Sequence, residues 1–255
     1  MRILLGIPTS GNPTMPFLES LQHLDLPVGI AAFDRYIVQG NFVPAQRELI
    51  VERALGLNAD VLVMCDDDIV LPPNALADLC FVLETNDRCG LAGALYYSRD
   101  GFRPMAVDDW DPHDTTSAVI PAFDGAPVSV SGVGFGCVAI RVAAIRELAP
   151  LYFPAHVFVE RRSGRVRVCN EDYLFCNRLR KANWDVLLVP SVRCGHFDRA
   201  TGRTSPTVWE TEAATNSRRM VVAENSVPRL IAASAELARA SEQHLRADID
   251  YLLVD

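Results

Sequence analysis

The chain has 255 residues, 49% of them apolar and 22% charged, with a formal net charge of −8. That length buries one large core, and the composition is that of a globular protein rather than a disordered or fibrous one. No stretch approaches the roughly 18 uninterrupted apolar residues of a membrane span, no signal-peptide layout precedes the first strand, and seven cysteines without a CxxC pair argue against a disulfide frame or a zinc site. A cytoplasmic protein with one main domain is expected.

In chain order, Ile3–Ile7 reads as a strand emptying into the small-residue loop Pro8-Thr9-Ser10-Gly11, which as a βα turn has backbone groups free for a base or ribose. Helical spacing follows at Met15–Leu24, a strand at Val28–Phe33, a helix at Val43–Leu57 and a wholly apolar strand at Val61–Cys65. A helix at Asn74–Glu84, with Leu76, Leu79, Cys80 and Leu83 on one face, leads to a strand at Gly90–Leu95. Alternation of this kind predicts βαβ units and a parallel, nucleotide-binding sheet. A polar stretch from Ser98 to Pro127, with Trp110 embedded in it, is too long for a structureless loop unless it binds something or moves. Order resumes at Val128–Val130, a glycine cluster, a strand at Cys137–Arg141 and a short helix at Val142–Leu148. An irregular stretch from Pro150 to Val168 precedes a helix at Asn170–Ala182 and a strand at Val186–Val189. The segment from Asn216 to about Leu245 reads as mostly helical, interrupted at Pro228.

Charge is uneven along this order. Residues 1–140 carry about −11 and residues 141–229 about +6, so a basic half beside an acidic loop suits phosphates or an anionic acceptor, or is simply a solvated surface.

Four constellations carry chemistry. Asp66-Asp67-Asp68 stands at the end of a buried strand, where open α/β sheets bind ligands. Three adjacent carboxylates repel one another, and a divalent ion with oxygen ligands is the simplest cation to offset them. In an extended segment Asp66 and Asp68 face one side and Asp67 the other; the alternative is a solvated turn capping the next helix. Glu171-Asp172 opens a helix, where acidic residues suit the dipole, and paired carboxylates also make a general base. His196, just after a strand, is either structural or a partner for carboxylates in a metal site. Ser131-Gly132-Val133-Gly134-Phe135-Gly136 lacks the features of a phosphate loop or dinucleotide fingerprint, which leaves close approach of backbone to a ligand, or a bulge. The stretch Arg161 to Arg167 is basic enough to track nucleic-acid phosphates.

Taken in order, the Ile7-Pro8-Thr9 loop, Gln46-Arg47-Glu48, Asp66–Asp68, Val133-Gly134-Phe135-Gly136, Glu171-Asp172 and His196 resemble the GT-A fold glycosyltransferases, particularly glycosyltransferase family 2 and its phage-borne relatives. The resemblance implies an α/β fold with a Rossmann-like nucleotide-binding sheet and helices on both faces. A GT-A domain would cover 1–198, with a donor half at about 1–96 and an acceptor half at about 128–198, and a mostly helical extension would cover 199–255. It implies a UDP- or GDP-sugar donor and a Mn²⁺ or Mg²⁺ ion held by Asp68, Asp66 and His196. Pro8, Thr9, Ser10, Arg47, Asp66 and Asp67 would bind the donor, Gly134, Phe135 and Gly136 would lie on the acceptor side, and Asp172 would be the base of an inverting reaction with Glu171 beside it. The Gln-x-x-Arg-Trp motif of processive synthases is absent, which favours transfer of single sugars, and Arg47-Glu48 stands where the family often has Arg-Asn. A nucleotidyltransferase forming NDP-sugars would call for Arg and Lys after the first strand, and Ile7–Met15 has neither; a non-catalytic nucleotide- or sugar-binding module is the other alternative. The acceptor, whether a modified DNA base, a glycan, a lipid-linked sugar or a metabolite, is left open, as is the oligomeric state.

Overall fold

The computed structural model describes residues 1–110, 118–119, 125–154, 157–159, 164 and 166–205. Met1–Val208 is one compact unit; Trp209–Asp255, including the helical stretch expected at 216–245, and most of the Arg161–Arg167 stretch lie outside the described residues. The elements are β1 (Arg2–Thr9), α1 (Met15–Gln22), β2 (Ala32–Gln39), α2 (Val43–Gly56), β3 (Val61–Cys65), β4 (Ile69–Val70), α3 (Ala75–Thr85), β5 (Cys89–Leu95), β6 (Ala106–Asp108), β7 (Ala118–Val119), β8 (Val128–Ser129), β9 (Gly132–Val133), β10 (Cys137–Arg141), α4 (Val142–Arg146), β11 (Val157–Val159), β12 (Val166–Val168), α5 (Glu171–Lys181), β13 (Asp185–Arg193), β14 (Gly195–Asp198) and β15 (Arg203–Ser205). No helix among the described residues is long and apolar enough to cross a membrane.

Seven strands form the central sheet in the order β2-β1-β3-β10-β5-β13-β8. β1 runs parallel to β2 and β3, and β13 parallel to β5, as the βαβ pattern predicts. The sheet is nevertheless mixed, because β10 enters antiparallel between β3 and β5, and β8 is antiparallel to β13.

Period-two alternation sends the strand side chains into two cores. Leu4, Leu62, Met64, Val138 and Ile140 pack with Ile50 and Val51 of α2 and Phe175 and Leu179 of α5. Ile3, Leu5, Val63 and Ala139 pack on the opposite face with Phe17 of α1 and Leu76, Leu79 and Leu83 of α3. At about 1.5–3 kcal/mol per buried large aliphatic side chain, both faces hold the strand ends in fixed positions, and the strand ends carry the site.

Two sequence expectations move. β2 begins at Ala32, not Val28, because Val28 is exposed and Gly29 turns the chain at φ +75°; as the sheet edge it tolerates the exposed Asp34 and Arg35 that break its apolar run. The polar stretch after Tyr96 is not structureless either, since β6 pairs with β7 and β9 in a small sheet. A second small sheet, β15-β14-β4, sets His196 opposite Ile69.

Candidate active site

At the end of β3 the chain does not continue extended through the acidic triplet. Ile69 N–H donates back to Asp66 O at 3.2 Å, and neighbours from three directions fix the turn: Asp66 N–H donates to Gly136 O (3.1 Å), Thr14 N–H to Asp67 O (3.0 Å) and Phe197 N–H to Asp68 O (2.8 Å). The turn nevertheless leaves Asp66, Asp67 and Asp68 all lining one cleft. Each carboxylate meets its own arginine. Arg47 Nη2 donates to Asp66 Oδ1 at 3.1 Å, Arg199 Nη2 to Asp67 Oδ1 at 2.8 Å, and Arg99 Nη2 to Asp68 Oδ2 at 2.6 Å. The cations that offset the triplet in this structure are side chains of the protein, where the residue types alone pointed first to a divalent ion.

Arg47 does more than hold Asp66. It stands in the first turns of α2, its side chain 3% exposed, and Nη1 donates to Glu171 Oε1 at 3.0 Å and to Asp172 Oδ1. Two acidic motifs that lie far apart in sequence are thus joined through one guanidinium. The same group lies 5.2 Å over the Phe135 ring, and its buried Nε has no hydrogen-bond partner among the described residues. Glu48, which departs from the Arg-Asn pattern, points elsewhere: it accepts the N–H groups of Tyr152 (3.0 Å) and Phe153 (2.8 Å).

Glu171 and Asp172 open α5 behind an Asn170 cap, whose Oδ1 accepts the N–H of Asp172 (2.9 Å) and of Tyr173 (3.3 Å). Asp172 Oδ2 accepts Phe135 N–H at 3.1 Å. Burial pushes the Asp172 carboxyl up to about 7 and the nearby charges of Glu171 and Asp66 add to it, against the pull of Arg47 and the Phe135 N–H. A carboxyl poised there exchanges protons near neutral pH, as a general base requires. Asp68 moves the other way: burial would raise it, but hydrogen bonds from His196 and Arg99 outweigh that and hold it below the usual carboxylate range.

An open cleft of about 470 Å³ gathers these groups. Pro8, Thr9 and Ser10 line it with Asp66, Asp67, Asp68, Arg47, Glu171 and Asp172, as do Arg99 and Arg199. Thr9 Oγ1 donates to Asp67 Oδ2 at 2.6 Å and accepts Gly11 N–H at 3.0 Å, which ties the β1 loop to the triplet. The glycine segment lies beneath the cleft, not along it. A Cβ on Gly134 would sit 2.2 Å from Tyr96 Oη and one on Gly136 2.6 Å from Tyr96 Cζ, so these glycines make room for a buried tyrosine instead of an approaching ligand. Phe135 is wholly buried, edge-on to Phe153 and Phe175. Gly134, Phe135 and Gly136, expected on the acceptor side, do not line this cleft; beneath it Phe135 N–H donates to Asp172 Oδ2 and Gly136 O accepts Asp66 N–H.

Three cleft residues have no role assigned to them from the sequence. Gln46, buried, donates through Nε2 to Thr9 O (2.7 Å) and Val38 O (2.6 Å) and holds the β1 loop; its place beside Arg47 was the available signal. Arg99 and Arg199 lie in turns without periodicity, and nothing in their local sequence marks them.

Of the residues expected to hold a divalent ion, Asp66 bonds to Arg47, while Asp68 and His196 face each other. His196 Nδ1 contacts Tyr97 O at 2.8 Å, and because a carbonyl only accepts, Nδ1 carries the proton. Nε2 then faces Asp68 Oδ2 at 3.5 Å: a protonated ring donates to that oxygen, and a neutral ring turns a lone pair there that a cation on that line would satisfy. Among the described residues no three His, Cys, Asp or Glu side chains form a cage. Asp68 and His196 fit an ion whose remaining positions go to ligand oxygens and water.

No protein-family model and no curated protein sequence matches the chain. In three dimensions it resembles A197 from STIV, at a TM-score of 0.56 and 18% identity over 80% of this chain and 93% of that one. It also resembles GalNAc-T7, solved with UDP, GalNAc and Mn²⁺, at a TM-score of 0.53 and 15% identity over 86% of this chain and 48% of that one. The fold is GT-A-like. It is an α/β fold on a mixed seven-stranded sheet, and at these identities the likeness is one of fold.

Proposed function

We propose that the chain is a glycosyltransferase, similar to family 2, that moves a single sugar from a UDP- or GDP-sugar to an acceptor hydroxyl with inversion. The observation that carries this reading is the cleft in which Arg47 brings Asp66, on the donor-side turn, within one guanidinium of Glu171 and Asp172. The UDP, GalNAc and Mn²⁺ with which GalNAc-T7 was solved belong to the same chemical class as the ligands proposed for this cleft.

In the reaction, the bond between the anomeric carbon and the diphosphate oxygen breaks, the acceptor oxygen bonds to that carbon from the opposite face, and the acceptor proton passes to an Asp172 oxygen. Asp172 is suited to this by a raised pKa that makes it a stronger base than an exposed carboxylate. The β1 loop at Pro8, Thr9 and Ser10, held by Gln46 and Asp67, offers backbone and hydroxyl groups to base and ribose. Asp68 and His196 would hold a Mn²⁺ or Mg²⁺ ion, whose chemistry there is to offset charge on the leaving diphosphate.

Incubation with a panel of UDP- and GDP-sugars and Mn²⁺ should release nucleoside diphosphate from one of them. Asp172→Asn should reduce that turnover by about 10²–10⁴-fold while binding the nucleotide as tightly as the wild type. Parallel loss of binding and turnover would make Asp172 a donor-holding residue and remove the base from the mechanism.

A further inference from the structure

Three arginines answer the triplet, and they are not held alike. Arg47 is buried among three carboxylates. Arg199 donates both to Asp67 and to the Asn12 carbonyl, which ties the turn after β14 to the β1 loop. Arg99 hydrogen-bonds to Asp68 alone among the described residues, and its side chain is 57% exposed. Its backbone, by contrast, is fixed: Ser98 N–H donates to Arg103 O (2.8 Å), Gly101 N–H to Ser98 O (2.7 Å), and Gly101 takes the left-handed φ of +78° that closes the turn. A long, half-exposed cationic side chain on an anchored base thus has one ion pair, to a buried carboxylate, to exchange for another partner.

The oxygen it holds is Asp68 Oδ2, the same one that faces His196 Nε2 at 3.5 Å. A guanidinium and a divalent ion cannot both take that oxygen at full strength, because each places its charge within about 3 Å of it. We propose that Arg99 is a resident counter-ion of Asp68: a divalent cation displaces it, and the freed guanidinium then takes an oxygen of the donor's diphosphate. The inference rests on the metal and nucleotide-sugar reading of the cleft and assigns to this one residue opposite effects on the two ligands. Arg99 is a cleft cation, and guanidinium pairs with phosphate oxygens as readily as with carboxylate. Arg199, with a second partner on the β1 loop, has no such freedom.

The test uses the full chain and reads binding. Mn²⁺ is titrated without nucleotide and the free ion followed by electron paramagnetic resonance, for wild type, Arg99→Ala, Arg99→Lys and Asp68→Ala; UDP is then titrated calorimetrically at saturating Mn²⁺. Arg99→Ala should bind Mn²⁺ about two- to five-fold more tightly, since its competitor is gone, and UDP about ten-fold more weakly, since a charge-assisted hydrogen bond is lost. Arg99→Lys, which keeps a charge, should fall between wild type and Arg99→Ala on both. Unchanged or weakened Mn²⁺ binding in Arg99→Ala, with Mn²⁺ still bound by wild type and lost in Asp68→Ala, overturns the counter-ion role and leaves the metal site standing. Absence of Mn²⁺ binding in wild type and Arg99→Ala alike, or its survival in Asp68→Ala, overturns the metal reading and this inference together.

Discussion

Arg47 is the residue on which the site depends, a buried cation with Asp66, Glu171 and Asp172 around it. Arg47→Met keeps much of the packing over Phe135 and leaves the carboxylates unanswered, so urea unfolding at pH 8 should show a loss of about 3 kcal/mol. The loss should shrink at pH 5, because carboxyls deprived of the guanidinium take up protons in the folded state; an equal loss at both pH values would assign the effect to packing. Asp172 makes its own pH statement. As a base it must be ionised, so kcat/KM should rise with pH to a plateau above about 7, and Glu171→Gln, by removing a repelling charge, should move that limb to lower pH. A limb that stays where it was would separate the titration from Asp172. The sign for folding is the reverse: the Asp172 contribution to stability is full below its ordinary value of 3.8 and is lost as pH rises through about 7. The residue types at 66–68, 171–172 and 196 were legible in the sequence. Their partners were not, because Arg47, Arg99 and Arg199 reach them across separations of 19 to 132 residues that no local pattern encodes.

Among the elements, strands buried on both faces were the easiest to read. β1, β3, β5 and β10 are continuous apolar runs and fall within a residue or two of their expected limits. β2 is an edge strand with a polar interior, and β4, β14 and β15 have two to four residues each, too few for periodicity to register, although their pairing is what carries His196 to Asp68. The glycine segment was legible as a place of close approach, but the sequence does not say that Tyr96 is what approaches. Gly136→Ala places a methyl 2.6 Å from Tyr96 Cζ and 3.0 Å from Ile69 Cδ1, and should cost about 1–3 kcal/mol by chemical denaturation. Gly56→Ala, at the end of α2 with nothing within 4 Å, should instead be neutral or stabilising by up to about 1 kcal/mol. Equal effects of the two substitutions would mean that Tyr96 yields and the segment is not closely packed.

At the scale of the whole molecule, the order of motifs along the chain indicated the GT-A-like fold while the direction of β10 did not, since apolar runs carry no sign of parallel or antiparallel pairing. The sheet sets the ends of β1 and β3 side by side, and α2 and α5 converge on them from one face, so a cleft forms where donor loop, acidic turn and carboxylate pair meet. The central claim is that this cleft takes a nucleoside diphosphate and a divalent ion together. Thermal unfolding of the chain with UDP or GDP, with and without Mn²⁺, tests it most directly. At about 100-fold excess over Kd the pair should add ~2.7 kcal/mol and raise Tm by about 5–10 °C, more than either ligand alone, and Asp68→Ala should erase the metal-dependent part. A Tm that no nucleotide raises in the presence of Mn²⁺, or a full gain retained by Asp68→Ala, would contradict it.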